Sequence, residues 1–286
     1  MAQPVVVGVD GSDPSLEAVD WAADEAALRG LPLRIVHASR WDRYERIAPA
    51  RAGGRPATRV MAENTVATAE RRAVERRPGL KVTSVVAGRD PVAALVEESA
   101  SAFAVVVGSR GVGAVSGMLL GSVGLGVAGR ASCPTVVVRG TGTEQARRGG
   151  SRQVVVGVGK GEEEAAAVRF ALREAEVRQC DVQALHAWRR PSDDGATTGG
   201  DGPGLRAERL LESSLRAADG SRSGVTTHPE TVEGSARDAL VRAGEDADLL
   251  VVGARKRHGT HGLQLGLVSH AVLHRAPCPV AVVPYG

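Results

Sequence analysis

The feature that most constrains the fold of this chain is an internal repeat. Four apolar segments of the first half return in the same order in the second half, each about 145–149 residues later. The pairs are 5–10 with 154–159, 33–38 with 182–187, 105–110 with 250–255, and 131–138 with 276–283. A repeat of this length in 286 residues indicates two copies of one folding unit. We predict a first domain at 1–140, a polar, Gly-rich linker at 141–152 and a second domain at 153–286.

Within each half, unbroken Val-rich runs alternate with segments that carry helix signals. Ser12 or Asp13, and later Asp90, stand just before a proline, which favours a helix start. Apolar strands that alternate with helices are typical of a parallel sheet covered on both faces. The predicted fold class is α/β, with two tandem doubly wound domains, Rossmann-like or flavodoxin-like, each around a five-stranded parallel sheet. We expect the helix after Gly121 to continue to about Cys133.

The composition excludes several classes of function. The net charge is only +3, and no basic block is interleaved with aromatic residues, which argues against nucleic-acid binding. No apolar run approaches the roughly 18 residues that indicate a transmembrane helix, and a strand follows the N-terminus without a secretory leader. Cys133, Cys180 and Cys278 form no disulfide or metal pattern. We therefore expect a soluble, cytoplasmic protein that binds neither nucleic acid nor membrane.

Residues 105–122 combine an apolar strand, a glycine-rich loop and a helix start. Unpaired backbone N–H groups point outward at such a junction and can hold an anion. Gly108 and Gly111 allow positive φ angles and a close approach of a ligand to the backbone. Gly121 returns at the start of the following helix, where Ser122 adds a hydroxyl donor. This pattern predicts a phosphate-binding loop.

Asp10 ends the first strand and is the second element of the predicted site. In a doubly wound sheet the ligand lies where the strand order reverses, at the carboxyl ends of the strands. If the first and fourth strands are neighbours, Asp10 and Gly108 face one crevice. A carboxylate that accepts hydrogen bonds from sugar hydroxyls or a base, beside a phosphate loop, suits a nucleoside phosphate. The alternative is that the glycines serve only tight strand–helix turns.

Other patterns are interpreted as structural. The G-x-G-x-x-G at 124–129 falls inside a predicted helix, so it is not a dinucleotide-binding turn, and no P-loop motif exists. His270 and His274 share a helix face, with His258 and His261 upstream, and are interpreted as solvated groups. His37 and His186 end apolar strands, where backbone groups are expected to satisfy them. Cys133 and Cys278 are interpreted as small residues at the edge of the core.

The whole pattern resembles the universal stress protein family. The glycines and serine at 108–122 are similar to the G-x2-G-x9-G-S/T motif of the ATP-binding members of that family. Asp10 after the first strand, His37-Ala38 at the end of the second and Cys133-Pro134 before the fifth also fit. The resemblance covers nearly the whole chain, as two copies.

The resemblance implies an ATP site in the first domain, with Mg²⁺ as a candidate bridging ion and with no catalytic residue and no metal held by the protein. The implied contacts are Gly8, Val9 and Asp10 around the adenosine, Ala38 and Val107 beside the adenine, and Gly108, Arg110, Gly111, Gly121, Ser122 and Val123 around the phosphates.

The second half departs from this motif at three positions. Asp10 corresponds to Gly159, the second motif glycine to Lys256 and the serine to Leu267, whereas Gly253 and Gly266 remain. A lysine at a position suited to positive φ costs about 1 kcal/mol if the loop keeps its shape. We expect the second domain to be a degenerate partner that leaves the chain with one nucleotide site.

The predicted function is that of an adenine-nucleotide-binding stress or regulatory protein. It acts as a ligand-responsive binding module, in which occupancy changes loop order and thereby the surface offered to an unidentified protein partner. Two alternatives stay open: an enzyme with slow ATP hydrolysis or adenylyl chemistry, and a scaffold without ligand. The two halves are expected to associate within one chain, as an intramolecular pseudo-dimer that resembles a family homodimer. The intact chain is also a candidate homodimer.

This association generates a prediction about the isolated halves. The short Val-rich fifth strand of each half is an aggregation hazard when its edge is unpaired. Each half expressed alone is therefore expected to self-associate or precipitate, as measured by light scattering. Two well-behaved monomeric halves would contradict the expected pairing.

Overall fold

The structure is a computed structural model that describes residues 2–39, 57–111, 120–139, 153–159, 165–190, 202–218, 224–256 and 263–286. Its contacts divide the chain into two compact units, unit 1 at Met1–Gly140 and unit 2 at Thr141–Gly286. Residues 141–152 of the predicted linker lie outside the described residues. Among the described residues, no helix is long and apolar enough to cross a membrane.

Unit 1 alternates strands and helices from its first element. In chain order the elements are β1 (Val5–Val9), α1 (Asp13–Arg29), β2 (Leu33–Ala38), α2 (Ala57–Arg76), β3 (Val82–Ala87), α3 (Pro91–Glu98), β4 (Ala104–Gly108), α4 (Ser122–Ala128) and β5 (Thr135–Val138). The strands are parallel and lie in the order β3-β2-β1-β4-β5. The strand order therefore reverses between β1 and β4.

Unit 2 repeats this plan with one addition. Its elements are β6 (Gln153–Gly157), α5 (Ala165–Arg178), β7 (Asp181–Trp188), α6 (Pro203–Ala218), β8 (Thr227–Glu233), α7 (Ala236–Ala243), β9 (Leu249–Lys256), β10 (Leu263–Gln264), α8 (Leu267–Arg275) and β11 (Val280–Tyr285). The parallel order is β8-β7-β6-β9-β11, and β10 adds an antiparallel pair on β9. The predicted tandem, doubly wound α/β fold is confirmed, with the Rossmann-like strand order.

The local signals explain where the helices of unit 1 begin and end. Ser12 is the N-cap of α1, and Asp90 is the N-cap of α3, where its side chain accepts a hydrogen bond from Ala93 N at 3.1 Å. Gly30 ends α1 with a φ of 63°, a left-handed conformation that glycine adopts without steric cost. The prediction that the helix after Gly121 reaches about Cys133 is wrong, because α4 ends at Ala128. Three glycines at 124–129 lower its helix propensity.

The core of each unit consists mainly of Val, Ala and Leu side chains. Val5, Val6, Val105 and Val106 are 0% exposed, and the matching residues of β6 and β9 are buried in the same way. Strands buried on both faces are expected where helices cover both sides of a parallel sheet. Valine is branched at Cβ and has few rotamers, so its side chains pack well on a sheet and can fill the core of a chain that has few aromatic residues.

A ladder of ion pairs joins α1 to α2. Arg76 donates to both carboxylate oxygens of Asp24 at 2.9 and 2.6 Å, and Arg72 donates to both of Asp20 at 2.7 Å. Arg77 donates to Asp24 at 2.8 Å. The hydrogen bond that Arg76 donates to Asp24 raises the pKa of Arg76 despite its partial desolvation, so the guanidinium stays charged throughout the neutral range. Bidentate geometry fixes the register of the two helices more firmly than a single contact does.

We predict that Asp24→Asn lowers the free energy of unfolding by about 1 kcal/mol, since it weakens the bonds to two guanidinium groups that are only partly buried. The measurement is urea unfolding at low and at high salt, and the loss is expected to shrink as salt screens the wild-type pair. Glu75→Gln, at an exposed position of α2, is the matched control and should change stability by less than about 0.5 kcal/mol. Equal effects of the two substitutions would contradict this role of the ladder.

Candidate functional site

The reversal point of unit 1 carries a cavity at the carboxyl ends of its central strands. Because β1 pairs directly with β4, the residues after both strands face one crevice, as predicted. The cavity has a volume of about 330 Å³. Its lining contains all eleven predicted residues, namely Gly8, Val9, Asp10, Ala38, Val107, Gly108, Arg110, Gly111, Gly121, Ser122 and Val123, together with Ser15, Val36, Pro91, Leu95 and Gly124.

One half of this cavity is apolar. Val36 and Val107, from β2 and β4, line it together with Leu95 of α3. A Cβ atom built on Gly8 would lie 2.8 Å from Leu95 Cδ1, so the glycine lets α3 pack close to β1. His37 Nδ1 lies 2.9 Å from Val9 O, and this buried contact ties the end of β2 to the end of β1. The prediction that the backbone satisfies His37 is confirmed.

The other half contains the carboxylate of Asp10, which is held in one orientation. Asp10 Oδ1 accepts hydrogen bonds from Ser12 N at 3.0 Å and from Ser12 Oγ at 2.6 Å. Its second oxygen, Oδ2, lies against the backbone of Gly111, where a Cβ atom on residue 111 would collide with it. The carboxylate therefore connects the end of β1 to the start of the glycine-rich loop.

Glycine is required at two positions of the loop because neighbouring groups occupy the space of a side chain there, and not because the backbone adopts unusual torsion angles. Gly108, Gly111 and Gly121 are not among the described glycines with positive φ, so that part of the prediction is wrong. A Cβ atom on Gly108 would lie 2.5 Å from Pro14 O, because the start of α1 packs directly over β4. Gly121 is different, since its nearest neighbours would lie 3.6 Å from such an atom.

The start of α4 forms the far edge of the cavity. Gly121 is its N-cap and has no side-chain capping bond, while Gly121 N donates to Ser109 O at 2.7 Å. Arg110 and Ser122 are exposed here and offer a guanidinium and a hydroxyl to whatever enters the cavity. Residues 112–119 of the predicted phosphate loop lie outside the described residues.

Unit 2 carries a corresponding cavity of about 490 Å³. Its apolar residues match those of unit 1 by position: Gly157 for Gly8, Val158 for Val9, Leu185 for Val36, Ala187 for Ala38, Leu240 for Leu95 and Val252 for Val107. The strand-end contact is repeated as well, because His186 Nδ1 lies 2.7 Å from Val158 O.

The polar half of the second cavity differs in backbone as well as in sequence. Gly159 stands where unit 1 has Asp10, and β9 continues to Lys256 as an extended strand. Lys256 pairs with Leu263 of β10 and Arg255 pairs with Gln264, so this segment belongs to an antiparallel strand pair. The corresponding residues of unit 1, Arg110 and Gly111, lie beyond the end of β4. The backbone cost predicted for Lys256 does not arise, because neither Lys256 nor the matching Gly111 is among the described residues with a positive φ angle.

Tyr285 adds an aromatic wall to the second cavity. A Cβ atom on Gly253 would lie 2.9 Å from Tyr285 Cε1, so the ring packs against the glycine that corresponds to Gly108. Leu267, the first residue of α8, lines the same cavity and is 83% exposed. Ser269 Oγ donates to Gly253 O at 3.2 Å.

Sequence reasoning did not identify Ser12 or Tyr285 as site residues. Ser12 follows Asp10 by two residues, the spacing at which an aspartate side chain bonds the backbone in an Asx turn, and this signal could have found it. Tyr285 has no local signal, because its place in the cavity depends on the length of β11 and its pairing with β9.

The remaining candidate residues form no further polar site in the described part of the chain. His270 and His274 share a face of α8, as predicted, with ring centroids 4.5 Å apart, whereas His258 and His261 lie outside the described residues. The described residues contain no group of three side chains suited to a metal ion. Burial raises the pKa of the Cys133 thiol to about 12, so it stays protonated at neutral pH.

Comparisons with known proteins identify the family. The model of the universal stress protein family matches the chain twice, at residues 1–139 and 150–284. A universal stress protein of Mycolicibacterium smegmatis is 33% identical over 298 residues, covering 98% of this chain and 96% of that protein. One from Mycobacterium tuberculosis is 34% identical over 295 residues, covering 97% and 96%. The crystal structure of a universal stress protein from Archaeoglobus fulgidus shares the fold with a TM-score of 0.67 at 19% identity, over the whole of both chains. The chain therefore belongs to the universal stress protein family and contains two tandem copies of the family's domain.

Proposed function

We propose that unit 1 binds an adenine nucleotide, and specifically ATP, in the cavity between β1 and β4, and that the chain works as a ligand-responsive stress or regulatory protein. The observation that carries this proposal is the fixed carboxylate of Asp10. It stands at the strand-order reversal, with one oxygen held by Ser12 and the other against Gly111. Because this carboxylate is already oriented before a ligand binds, little free energy is lost in ordering it when it accepts hydrogen bonds from sugar hydroxyls.

The apolar half of the cavity is the proposed place of the adenine ring. The side chains of Val36, Leu95 and Val107 form apolar walls against which a flat ring can pack. Ala38 at the end of β2 offers backbone groups for hydrogen bonds to the ring. Pockets that bind small molecules usually combine such apolar walls with a few fixed polar groups. The contact of His37 with Val9 O keeps the two strand ends in register beneath the ring.

The phosphates are proposed to lie beyond Asp10, toward Gly108, Gly111 and Gly121. At Gly121 a Cβ atom would meet nothing closer than 3.6 Å, and this open space lets phosphate oxygens approach the backbone at the start of α4. Ser122 adds a hydroxyl donor, and Arg110 adds a charge at the mouth of the cavity. ATP binds Mg²⁺ mainly through its phosphates, so the ion is proposed to lie beside them. Occupancy would then alter the surface around the mouth that partner proteins contact.

Unit 2 is proposed to have lost the nucleotide. Replacing Asp10 by Gly159 removes a charged acceptor worth roughly 1.5–3 kcal/mol, and replacing Ser122 by Leu267 removes about 1 kcal/mol more. A lysine that attracts phosphate at the surface recovers at most about 1 kcal/mol. The net loss corresponds to an affinity lower by about a hundredfold.

The first test places a branched side chain in the proposed phosphate position. Gly121→Val should fold normally, because a Cβ atom at residue 121 meets nothing closer than 3.6 Å, yet it should lower ATP affinity at least tenfold by occupying the path of the phosphates. Calorimetry measures the affinity, and circular dichroism checks the fold.

Gly266→Val is the matched control for this test, since Gly266 is the N-cap of α8 at the corresponding place in unit 2 and has open space around it. It should leave ATP affinity unchanged within about twofold. Native folding of Gly121→Val with wild-type ATP affinity would rule out the proposed site.

A second test removes the charge of Asp10 while keeping its shape. Asp10→Asn should lower ATP affinity about tenfold to a hundredfold, because a neutral amide is a weaker acceptor for the sugar hydroxyls than a carboxylate is. Asp13→Asn makes the same chemical change at an exposed position three residues later and serves as the control. Calorimetry at fixed salt compares the two, and equal affinities would contradict the role of Asp10.

A further inference from the structure

We propose that the open edge of the unit 1 sheet pairs with the same edge of a second copy of this chain. The edge is strand β3, which lies at the opposite end of the unit 1 strand order from β5, so this surface is separate from the fifth-strand pairing expected between the two halves. Antiparallel pairing of two β3 strands about a two-fold axis makes a homodimer with a sheet that continues from one copy into the other. The inference does not depend on the proposed nucleotide site.

Every second residue of β3 turns its backbone groups away from β2. Leu33 N donates to Lys81 O at 2.9 Å, and Ser39 N donates to Ala87 O at 3.1 Å, so the odd-numbered residues of β3 face β2 in the parallel ladder. The residues whose N–H and C=O groups point outward are Val82, Ser84 and Val86. No strand in the described part of the chain pairs with this side of β3.

The sequence of β3 lacks the features that keep an edge strand from pairing. Residues 82–87 contain no proline and no charged side chain, and they consist of valine, threonine, serine and alanine. Native proteins usually protect such an edge with prolines, charges or a covering segment, because an unprotected apolar edge pairs with another chain. The composition of β3 therefore favours a partner strand.

The corresponding edge of unit 2 is protected. β8 pairs with β7 as β3 pairs with β2, and the register places Pro229 where unit 1 has Ser84. Val182 N donates to Thr226 O at 2.9 Å, so the even-numbered residues of β8 face β7 and Pro229 lies at an outward position. A proline there offers no N–H to a further strand, and Glu230 adds a charge beside it. The two edges thus differ at the central position for pairing.

The identity of the proposed partner follows from the symmetry of the β3 sequence about Ser84. With Ser84 opposite the same residue of a second copy, Val82 lies opposite Val86 of that copy, and each opposed pair exchanges backbone hydrogen bonds. Pairs of β-branched residues across antiparallel strands are stabilising. Because the strand carries no charge, no like charges face each other between the two strands.

Helix α2 leaves room for this pairing. It packs over β3 and β2, whereas α1 packs over β1 and β4, so one flank of α2 faces beyond the edge of the sheet. Because Arg72 and Arg76 contact α1, residues half a turn away lie on that outer flank. These residues form an exposed stripe of Val60, Ala67 and Val74. Since each α2 covers two strands, joining the strands at about 4.8 Å brings the two helices about 10 Å apart, the distance of ordinary helix packing.

The matching helix of unit 2 carries a charge in this stripe. Leu211 of α6 is buried as Val66 of α2 is, and this match places Glu212 at the position of Ala67. Glu212 is exposed and forms an ion pair with Arg216 at 3.5 Å. The edge strand and the covering helix of unit 2 therefore both disfavour the pairing that unit 1 allows.

The first test copies the protection of unit 2 onto unit 1. Sedimentation velocity of the full chain, without nucleotide, is expected to show a concentration-dependent dimer at about 100 µM. Ser84→Pro should lower the association constant at least tenfold, because it removes the central outward donor in both copies, and β8 shows that an edge strand of this fold holds a proline at that position. Thr231→Pro makes the same change at an outward position of β8 and should leave association unchanged within twofold.

A charge-swap pair tests the two-fold register. Ser84→Glu and Ser84→Lys each place like charges directly opposite each other, so each variant alone should associate at least tenfold more weakly than the wild type. An equal mixture of the two should restore the dimer, since opposite charges then face each other. Ser84 is exposed, so both variants should fold, and circular dichroism checks this. If Ser84→Pro fails to fold, the charge-swap pair decides the question.

Three outcomes would overturn the inference. The first is a wild-type chain that stays monomeric at this concentration, whether its edge remains open or binds an extended segment of another protein. The second is a dimer that a folded Ser84→Pro variant leaves unchanged. The third is a pair of charge variants that associate no better together than alone. Failure of ATP binding would refute the proposed function and leave each of these results as informative as before.

Discussion

The architecture of the unit 1 site depends on one contact, that of the Asp10 carboxylate with the backbone of Gly111. The carboxylate is oriented by Ser12, which is also the N-cap of α1, so the helix cap and the site share one residue. The room that Oδ2 occupies exists only because residue 111 has no Cβ atom. A ligand that bonds Asp10 is thereby placed next to the glycine-rich loop.

The two units differ at both positions of this contact. Unit 2 has Gly159 in place of the carboxylate and Lys256 in place of the glycine. Without a carboxylate the space beside residue 256 no longer has to stay empty, and the chain there continues as β9 and pairs with β10. The buried Val strands and the histidine contacts between strand ends are retained, because they hold the sheet in both units. The two units therefore share the fold and the apolar half of the cavity, and they differ in its polar half.

Much of the fold, and part of the candidate site, could be predicted from local patterns in the sequence. Apolar Val runs, capping residues before Pro14 and Pro91, and the repeat predicted the order of elements, and the reversal rule then brought Asp10 and Gly108 into one crevice. The reason for the loop glycines could not be predicted, because it depends on the distance from Gly108 to Pro14 O and from Gly111 to Asp10, which only the packed fold defines. Tyr285 and the β9–β10 ladder were missed for the same reason, since both arise from pairing between segments far apart in sequence.

We propose that unit 1 of this tandem chain holds a nucleotide and that unit 2 does not, because unit 2 lacks the Asp10–Gly111 pair. Native mass spectrometry of the intact chain, titrated with ATP at modest concentration, tests it most directly because it counts ligands per chain. We expect a single ATP adduct that saturates before any second one appears. Two adducts that form with equal affinity, or no adduct, would contradict it.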